Sequence, residues 1–248
     1  LTIYIISSSI VLIIGLIDDI YNLSAFKRLL FQALISISIW SKGIGIKYLN
    51  IGILNLGVDN IQLPVPLSIF ITTIWISGIM NAINWIDGIN GLASGVVIII
   101  LFGISVISII KGMTLLTLFT FCLIGSCLGF LIHNFKPNFI IMGDNGSNFL
   151  GFNLSILSLY AASDSNLFQR DIVISPFVPL FLLGLPVIDM TVVIFRRIIN
   201  KKSPFSADKT HLHHKLIASG FSISKINIFI YAITFLLVSL SVILIKNS

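Results

Sequence analysis

Asn81, Asn84 and Asp87 recur at three-residue spacing where an apolar run ends, so on a helix they share about one third of its circumference. Three polar side chains on one face at the edge of an apolar segment need partners, because unsatisfied polar groups there are costly. Gly88 and Gly91 then break the helix and bring bare backbone close to whatever Asp87 faces. Three further polar islands have the same design. Asp18 and Asp19 close an apolar run just before Lys27 and Arg28. Adjacent carboxylates repel, so both stay ionised only where a metal or cations neutralise them; a solvated helix end is the plain alternative. In the segment MGDNGS, Asp144 stands between Gly143 and Gly146 ahead of an expected helix. Backbone N–H groups and a carboxylate gathered there suit a phosphate bridged by Mg²⁺, which prefers hard oxygen ligands. In HLHHKL, His211, His213 and His214 follow Asp208 and Lys209. A zinc site is disfavoured, because no cysteine supports it and adjacent histidines do not readily ligate together. The segment reads as a cationic, hydrogen-donating phosphate clamp, with a solvated basic loop as the alternative. Asp189 is open between a site residue and the partner of a cation. Together the islands suit metal-assisted transfer of a phosphoryl group between a water-soluble donor and a lipid acceptor.

The elements that must carry these islands are membrane helices. The chain is 56% hydrophobic and 10% charged, with a mean hydropathy of +1.08; a soluble domain carries about 25% charged residues. The expected fold is all-α: a polytopic membrane helix bundle forming one integral-membrane domain over 1–248. Helices are expected at 1–17, from Ser24 through 29–40, and at 67–86, 92–110, 113–132, 149–162, 174–197 and 225–245, about eight in all. Three prolines inside 174–197 are tolerable in a membrane helix. The Gly-, Asn- and Pro-containing segment 43–66 reads as short strands or an irregular external loop, and 133–148 and 198–222 as polar loops. If 198–222 is cytoplasmic, the islands at Asp18, Asp87 and Asp144 share its side. Ten Lys and Arg then flank the cytoplasmic loops against five opposite, which obeys the positive-inside rule.

The net charge of +6 arises from 15 Lys and Arg against nine acids, every one Asp. With no RNA-reading motif and no basic arm, it reflects membrane orientation and excludes nucleic acid as a partner. Cys122 and Cys127 lie in one apolar run and behave as small hydrophobes. The sequence opens with Leu1 inside an apolar run, so N-terminal helices are expected to be missing.

In order along the chain, GLIDDIYNL, NAINWIDGINGLA, MGDNGSNFLGF and SADKTHLHHKL resemble the motifs of the polyprenyl-phosphate N-acetylhexosamine-1-phosphate transferases. These are the glycosyltransferase family 4 enzymes related to the phospho-MurNAc-pentapeptide translocases. The likeness runs from Leu12 to about Leu216. It implies transfer of a sugar 1-phosphate, N-acetylglucosamine 1-phosphate in the first instance, from a UDP-sugar to undecaprenyl phosphate with release of UMP. That is the first membrane step of a cell-envelope polysaccharide. Mg²⁺ is the implied cofactor, with Mn²⁺ as an alternative. The implied partners are the UDP-sugar, undecaprenyl phosphate and the lipid bilayer, with a homodimer left open. The implied location is the bacterial cytoplasmic membrane, with the active site facing the cytoplasm. By the resemblance Asp144 would ligate the metal, with Asp19 as a second ligand, and Asp18 and Asp19 would form the acidic pair at the lipid-phosphate end. Asn84, Asp87, the Gly88 turn and Asn90 would line the nucleotide pocket, and Asn81 would bind substrate. Gly143 and Lys209 would also bind substrate, and His211, His213 and His214 would clamp the diphosphate or sugar. The chain departs from the pattern at Asn90, where the family commonly has Asp, and at Phe139, where it commonly has a cation. Two other classes are a non-catalytic relative and an ion-coupled transporter. The transporter should show repeated halves, and none is visible.

The cation count makes the orientation testable. In a background lacking Cys122 and Cys127, single cysteine reporters near Asn22, Asn138 and Lys201 are expected to label only from the cytoplasm. One near Asn60 should label only from outside. External labelling near Lys201 would overturn the common face.

Overall fold

A computed structural model describes residues 2–51, 60–135, 140–163, 165, 167, 169–203 and 210–247. Within them the chain forms α1 (Thr2–Tyr21), α2 (Ala25–Ser41), β1 (Tyr48–Asn50), β2 (Asn60–Gln62), α3 (Val65–Ile86), α4 (Leu92–Ile110) and α5 (Thr114–Asn134). It continues with α6 (Gly143–Ala161), β3 (Val173–Ile174), α7 (Phe177–Leu182), α8 (Gly184–Ile199), α9 (Leu212–Ala218) and α10 (Ile223–Asn247). Among the described residues five helices, α1, α3, α4, α5 and α10, are long and apolar enough to cross a membrane. The chain is a polytopic helical membrane protein.

Helix α6 is the hub. It is buried without interruption from Leu150 to Ala161 and packs against α1, α3 and α4. Small residues let the neighbours in close. A Cβ on Gly151 would lie 2.6 Å from Met80 Cα on α3, and one on Gly15 would lie 2.5 Å from Asn145 Cα at the start of α6. Close backbone approach is how membrane helices gain contact where lipid supplies no hydrophobic drive. Tyr4 on α1 adds aromatic contact, its ring 6.0 Å from both Phe152 and Phe119, and its hydroxyl donates to Asn153. At the opposite end from Asp18 and Asp144, the described residues of segment 43–66 form short strands: β1 pairs antiparallel with β2, and β3 joins β1 in parallel, with Leu49 opposite Ile61 and beside Ile174.

Three expected boundaries are corrected. Helix α6 begins at Gly143, not at 149, so the 133–148 segment is not all loop and Asp144 lies in the first helical turn. The expected 174–197 helix is three elements: β3, α7 and α8. The break at Leu183 follows from Pro186, which has no N–H for the carbonyl of Leu182, the last residue of α7. The 198–222 segment carries the short helix α9, which holds the histidines, and α8 itself runs on to Ile199. Ser24 does cap α2, its hydroxyl accepting from the Lys27 amide at 3.5 Å.

The contact at Gly151 sets a clear contrast with Gly125 on α5, which has nothing within 4 Å of where a Cβ would stand. Gly151→Leu is expected to cost about 1–3 kcal/mol through overpacking. Gly125→Leu should leave stability unchanged or raise it by up to about 1 kcal/mol. Thermal unfolding of the two variants in detergent checks this, and equal unfolding temperatures would refute the close α3–α6 contact.

Candidate active site

Where α1, α2, α3 and α6 meet at one end of the bundle, the polar islands form a connected network. Helix α6 starts with Met142 at its N-cap and no side-chain cap of its own. Its opening amides are satisfied from α1 instead: the Asp144 N–H donates to Asp19 Oδ1 at 2.7 Å and the Asn145 N–H to Asp19 Oδ2 at 3.1 Å. Gly143 makes the turn with φ +67°, and a Cβ there would lie 2.9 Å from the Asp19 carboxylate. Asp18, one residue earlier, is buried; its Oδ1 accepts the Leu23 amide at 2.8 Å. Arg28 on α2 then bridges two carboxylates, with Nη1 3.3 Å from Asp18 Oδ2 and 3.2 Å from Asp144 Oδ2. Asn84 at the end of α3 donates to the other oxygen of Asp144 and lies 2.9 Å from Ser147 Oγ.

Behind this front row lies a second layer. Asn81 donates to Gln32 Oε1 at 2.7 Å and to the Ser77 carbonyl at 2.7 Å. Gln32 donates to Asn148 Oδ1 at 3.2 Å, and Asn148 donates to the Asp144 carbonyl at 2.8 Å. Asn81 therefore braces α2 and α6 and is linked to Asp144 through two intervening side chains.

The last turn of α3 has two working faces. Asn84 and Asp87 look towards Asp144, while Trp85 and Gly88, one residue on, meet the histidines. The Trp85 ring packs edge-on at 5.4 Å from His211, and the Arg197 guanidinium lies 4.9 Å from its centroid. His213 Nε2 sits where a Cβ on Gly88 would stand and has no hydrogen-bond partner. Rings of His211 and His213 stack at 5.9 Å, and His214 follows at 4.2 Å from His213. The Gly91 turn, at φ +81°, is pinned by Asn134 Oδ1 accepting its amide at 2.6 Å, by Tyr231 donating to its carbonyl, and by Asn227 donating to the Asn90 carbonyl at 2.9 Å.

Charge is unevenly compensated. Asp18 and Asp144 share one arginine, Arg28, while Asp87 feels the charge of Asp144. Burial, and then the charge of Asp144, push the Asp87 carboxyl up to about 7. Burial, and then His214 and His211, push the His213 imidazole down to about 4, so at neutral pH it is an uncharged ring. Among the described residues no three His, Cys, Asp or Glu side chains converge as a metal cage.

Of the expected site residues, Asp18, Asp19, Gly143, Asp144 and Asn84 come together directly. Asp87 and Gly88 adjoin them, Asn90 is held through its backbone, and the three histidines form the far wall. Lys209 and Phe139 lie outside the described residues. Sequence reasoning missed Gln32, Asn134, Asn148, Trp85, Arg197, Asn227 and Tyr231. Gln32, a lone amide in the apolar run 29–40, was the one visible signal.

The sequence profile described as Glycosyl transferase family 4 matches residues 1–162, which hold every element from α1 to α6. The chain belongs to glycosyl transferase family 4. Similarity to individual relatives extends further, past the histidines. A Bacillus subtilis (strain 168) protein named "Probable undecaprenyl-phosphate N-acetylglucosaminyl 1-phosphate transferase" is 38% identical over 239 residues, 96% of this chain and 64% of its own. The decaprenyl-phosphate N-acetylglucosaminephosphotransferase of Mycobacterium tuberculosis (strain ATCC 25618 / H37Rv) is 33% identical over 91% of this chain and 59% of its own. The undecaprenyl-phosphate alpha-N-acetylglucosaminyl 1-phosphate transferase of Escherichia coli (strain K12) is 28% identical over 97% and 65%. The chain thus spans about three fifths of the length of the curated relatives it matches. The family 4 profile ends before α9, so the histidine wall is covered by the pairwise relatives alone.

Asp87 makes a pH dependence testable. Its carboxyl is raised from 3.8 to about 7 in the folded protein, so between those values the folded state keeps a proton that the unfolded chain has released. Stability is therefore expected to fall as pH rises through that window. Unfolding midpoints measured in detergent with a chelator should decline from acid to neutral pH, and Asp87→Asn should flatten the decline. An unchanged slope in Asp87→Asn would contradict the burial of this carboxyl.

Proposed function

We propose that this protein transfers a sugar 1-phosphate, N-acetylglucosamine 1-phosphate by analogy with its relatives' names, from a UDP-sugar to undecaprenyl phosphate. An oxygen of the lipid phosphate displaces UMP at the phosphorus that carries the sugar. The observation that supports this most is the place of Arg28. It bridges Asp18 and Asp144 at one end of a narrow groove that is otherwise largely apolar, with Val11, Ile14, Phe31 and Ile35 among its walls. A cation beside a carboxylate pair at the head of an apolar groove suits a phosphate on a long hydrocarbon chain. Asp18 holds the guanidinium in place, Asp19 holds the start of α6, and Asn84 fixes the rotamer of Asp144. The turn from Asp87 through Gly88 to Asn90 is offered to the nucleotide. His211, His213 and His214, together with Lys209, close on the diphosphate from the other side.

Mg²⁺, or Mn²⁺ in its place, fits the donors present. They are carboxylate oxygens with more negative charge than Arg28 balances, and next to Asp144 the buried Asn145 Oδ1 has no partner. Asp144 would hold the ion, with Asp19 reaching from α1 to the same helix start. Bound there, it would offset the charge of the diphosphate and of the transition state. The remaining ligands would come from phosphate oxygens and water, as this cation prefers. We also place α2, α6 and the α7–α8 pair in the bilayer, which makes eight passes, in the bacterial cytoplasmic membrane with the site facing the cytoplasm.

The decisive assay uses the full-length gene product with radiolabelled UDP-N-acetylglucosamine, undecaprenyl phosphate and Mg²⁺. Asp144→Asn keeps the side-chain shape and an oxygen for Asn84. It is expected to lower turnover by roughly 10²–10³-fold while the protein still inserts and folds. Near-normal turnover in that variant would remove Asp144 from its role, and absence of lipid-linked product in wild type would refute the reading.

A further inference from the structure

Asp189 lies on α8 and its side chain is 11% exposed, yet it has two tasks. Its Oδ1 accepts the backbone N–H of Leu212 at 2.9 Å, and its Oδ2 stands 2.8 Å from Nδ1 of His211. Leu212 opens α9, and the N-cap, His211, contributes no side-chain hydrogen bond to that helix. The carboxylate from α8 therefore satisfies an opening amide that α9 does not satisfy for itself.

The second contact decides a proton position. An ionised carboxylate only accepts, so the hydrogen between Oδ2 and Nδ1 belongs to the imidazole. A neutral His211 then keeps its proton on Nδ1 and its lone pair on Nε2. The same helix holds His211 a second way: Arg197, eight residues after Asp189, lies over the Trp85 ring that packs edge-on against His211. His213 follows in register, with its ring stacked on His211 and its partnerless Nε2 lodged against Gly88. There is no slack at Gly88, so a small rotation of α9 would move His213 off the turn.

We propose that Asp189 is a positioning residue: by holding the His211 proton on Nδ1 and tying the first amide of α9, it sets the histidine stack against the Gly88 turn in the geometry that sugar-phosphate transfer uses. The proposal rests on the transfer reading above. Asp189 acts through His211 and His213, not by touching substrate.

The test uses full-length protein carrying isotope-labelled histidine, as wild type, Asp189→Asn and Asp189→Glu, with His211 assigned by the signal lost in His211→Gln. In wild type, His211 is expected to show a protonated Nδ1 and an unprotonated Nε2. Asp189→Asn offers an amide N–H to Nδ1 and should move the proton to Nε2. In the same variant kcat should fall roughly 10–100-fold, as loss of a histidine-orienting carboxylate does, with donor KM within about threefold of wild type. Asp189→Glu should keep the Nδ1 proton and recover most of that loss. A wild-type His211 protonated on Nε2 overturns the proposal whether or not the variants fold. So does Asp189→Asn with wild-type kcat, or with a loss confined to KM. Wild-type protein without turnover would sink the transfer reading alone, and the tautomer measurement would still judge the placement of His211.

Discussion

The amides of Asp144 and Asn145 are held by a carboxylate that belongs to another helix, and the rest of the site hangs from that contact. Locally, Gly143, Asn145, Gly146, Ser147 and Asn148 are weak helix formers, and a helix start leaves four amides without intrahelical partners. Asp19 supplies two of the missing bonds. Hydrogen bonds to a charged group are worth about 1.5–3 kcal/mol each, more than the propensity deficit of a single residue. Once α6 starts at Gly143, Asp144 faces Arg28 and Asn84. Were the helix to start at 149, Asp144 would sit in loop and Arg28 would have one carboxylate instead of two. The close approach of Gly15 to Asn145 lets α1 come near enough to lend the cap.

The same device recurs at α9, where Asp189 reaches from α8 to the Leu212 amide. In each case an acid on a long helix organises the first turn of a helix that carries chemistry. Between the two capped helices stands the last turn of α3, whose consecutive residues face opposite ways: Asn84 to Asp144 and Trp85 to His211. A single turn of backbone thus sets the separation of the carboxylate cluster and the histidine wall. Its own position is fixed by Gly151, which lets α6 lie against Met80.

Much of this was legible in the sequence because it is local. Apolar runs gave the helices, Ser24 the start of α2, and three-residue spacing the shared face of Asn84 and Asp87. The four islands adjoin at one end of the bundle, as expected when alternating helices return their connecting loops to the same side. What escaped was long-range. The true start of α6 depends on an acid 125 positions away in sequence. Tyr231 and Asn227 read as ordinary residues of an apolar helix until the Gly91 turn arrives beside them. Asn81 looked equivalent to Asn84 by spacing, yet one turn along the helix it meets Gln32 and not Asp144. The split of α7 from α8 was within reach, since Pro186 removes a specific hydrogen bond, but tolerance of proline in membrane helices argued the other way.

That split has a consequence for the kind of membrane in which the protein can live. Helix α7 has six residues and α8 sixteen, about 9 Å and 24 Å at 1.5 Å per residue. A rigid helix of their combined length meets a thicker or thinner hydrocarbon layer by tilting as a whole, and a tilt of a few degrees would carry Asp189 and Arg197 off their partners. If α7 and α8 cross the bilayer as proposed, the bond missing at Pro186 leaves Leu183 as the place where α7 would re-aim to absorb hydrophobic mismatch. The histidine wall would then keep its place while acyl-chain length changed around it.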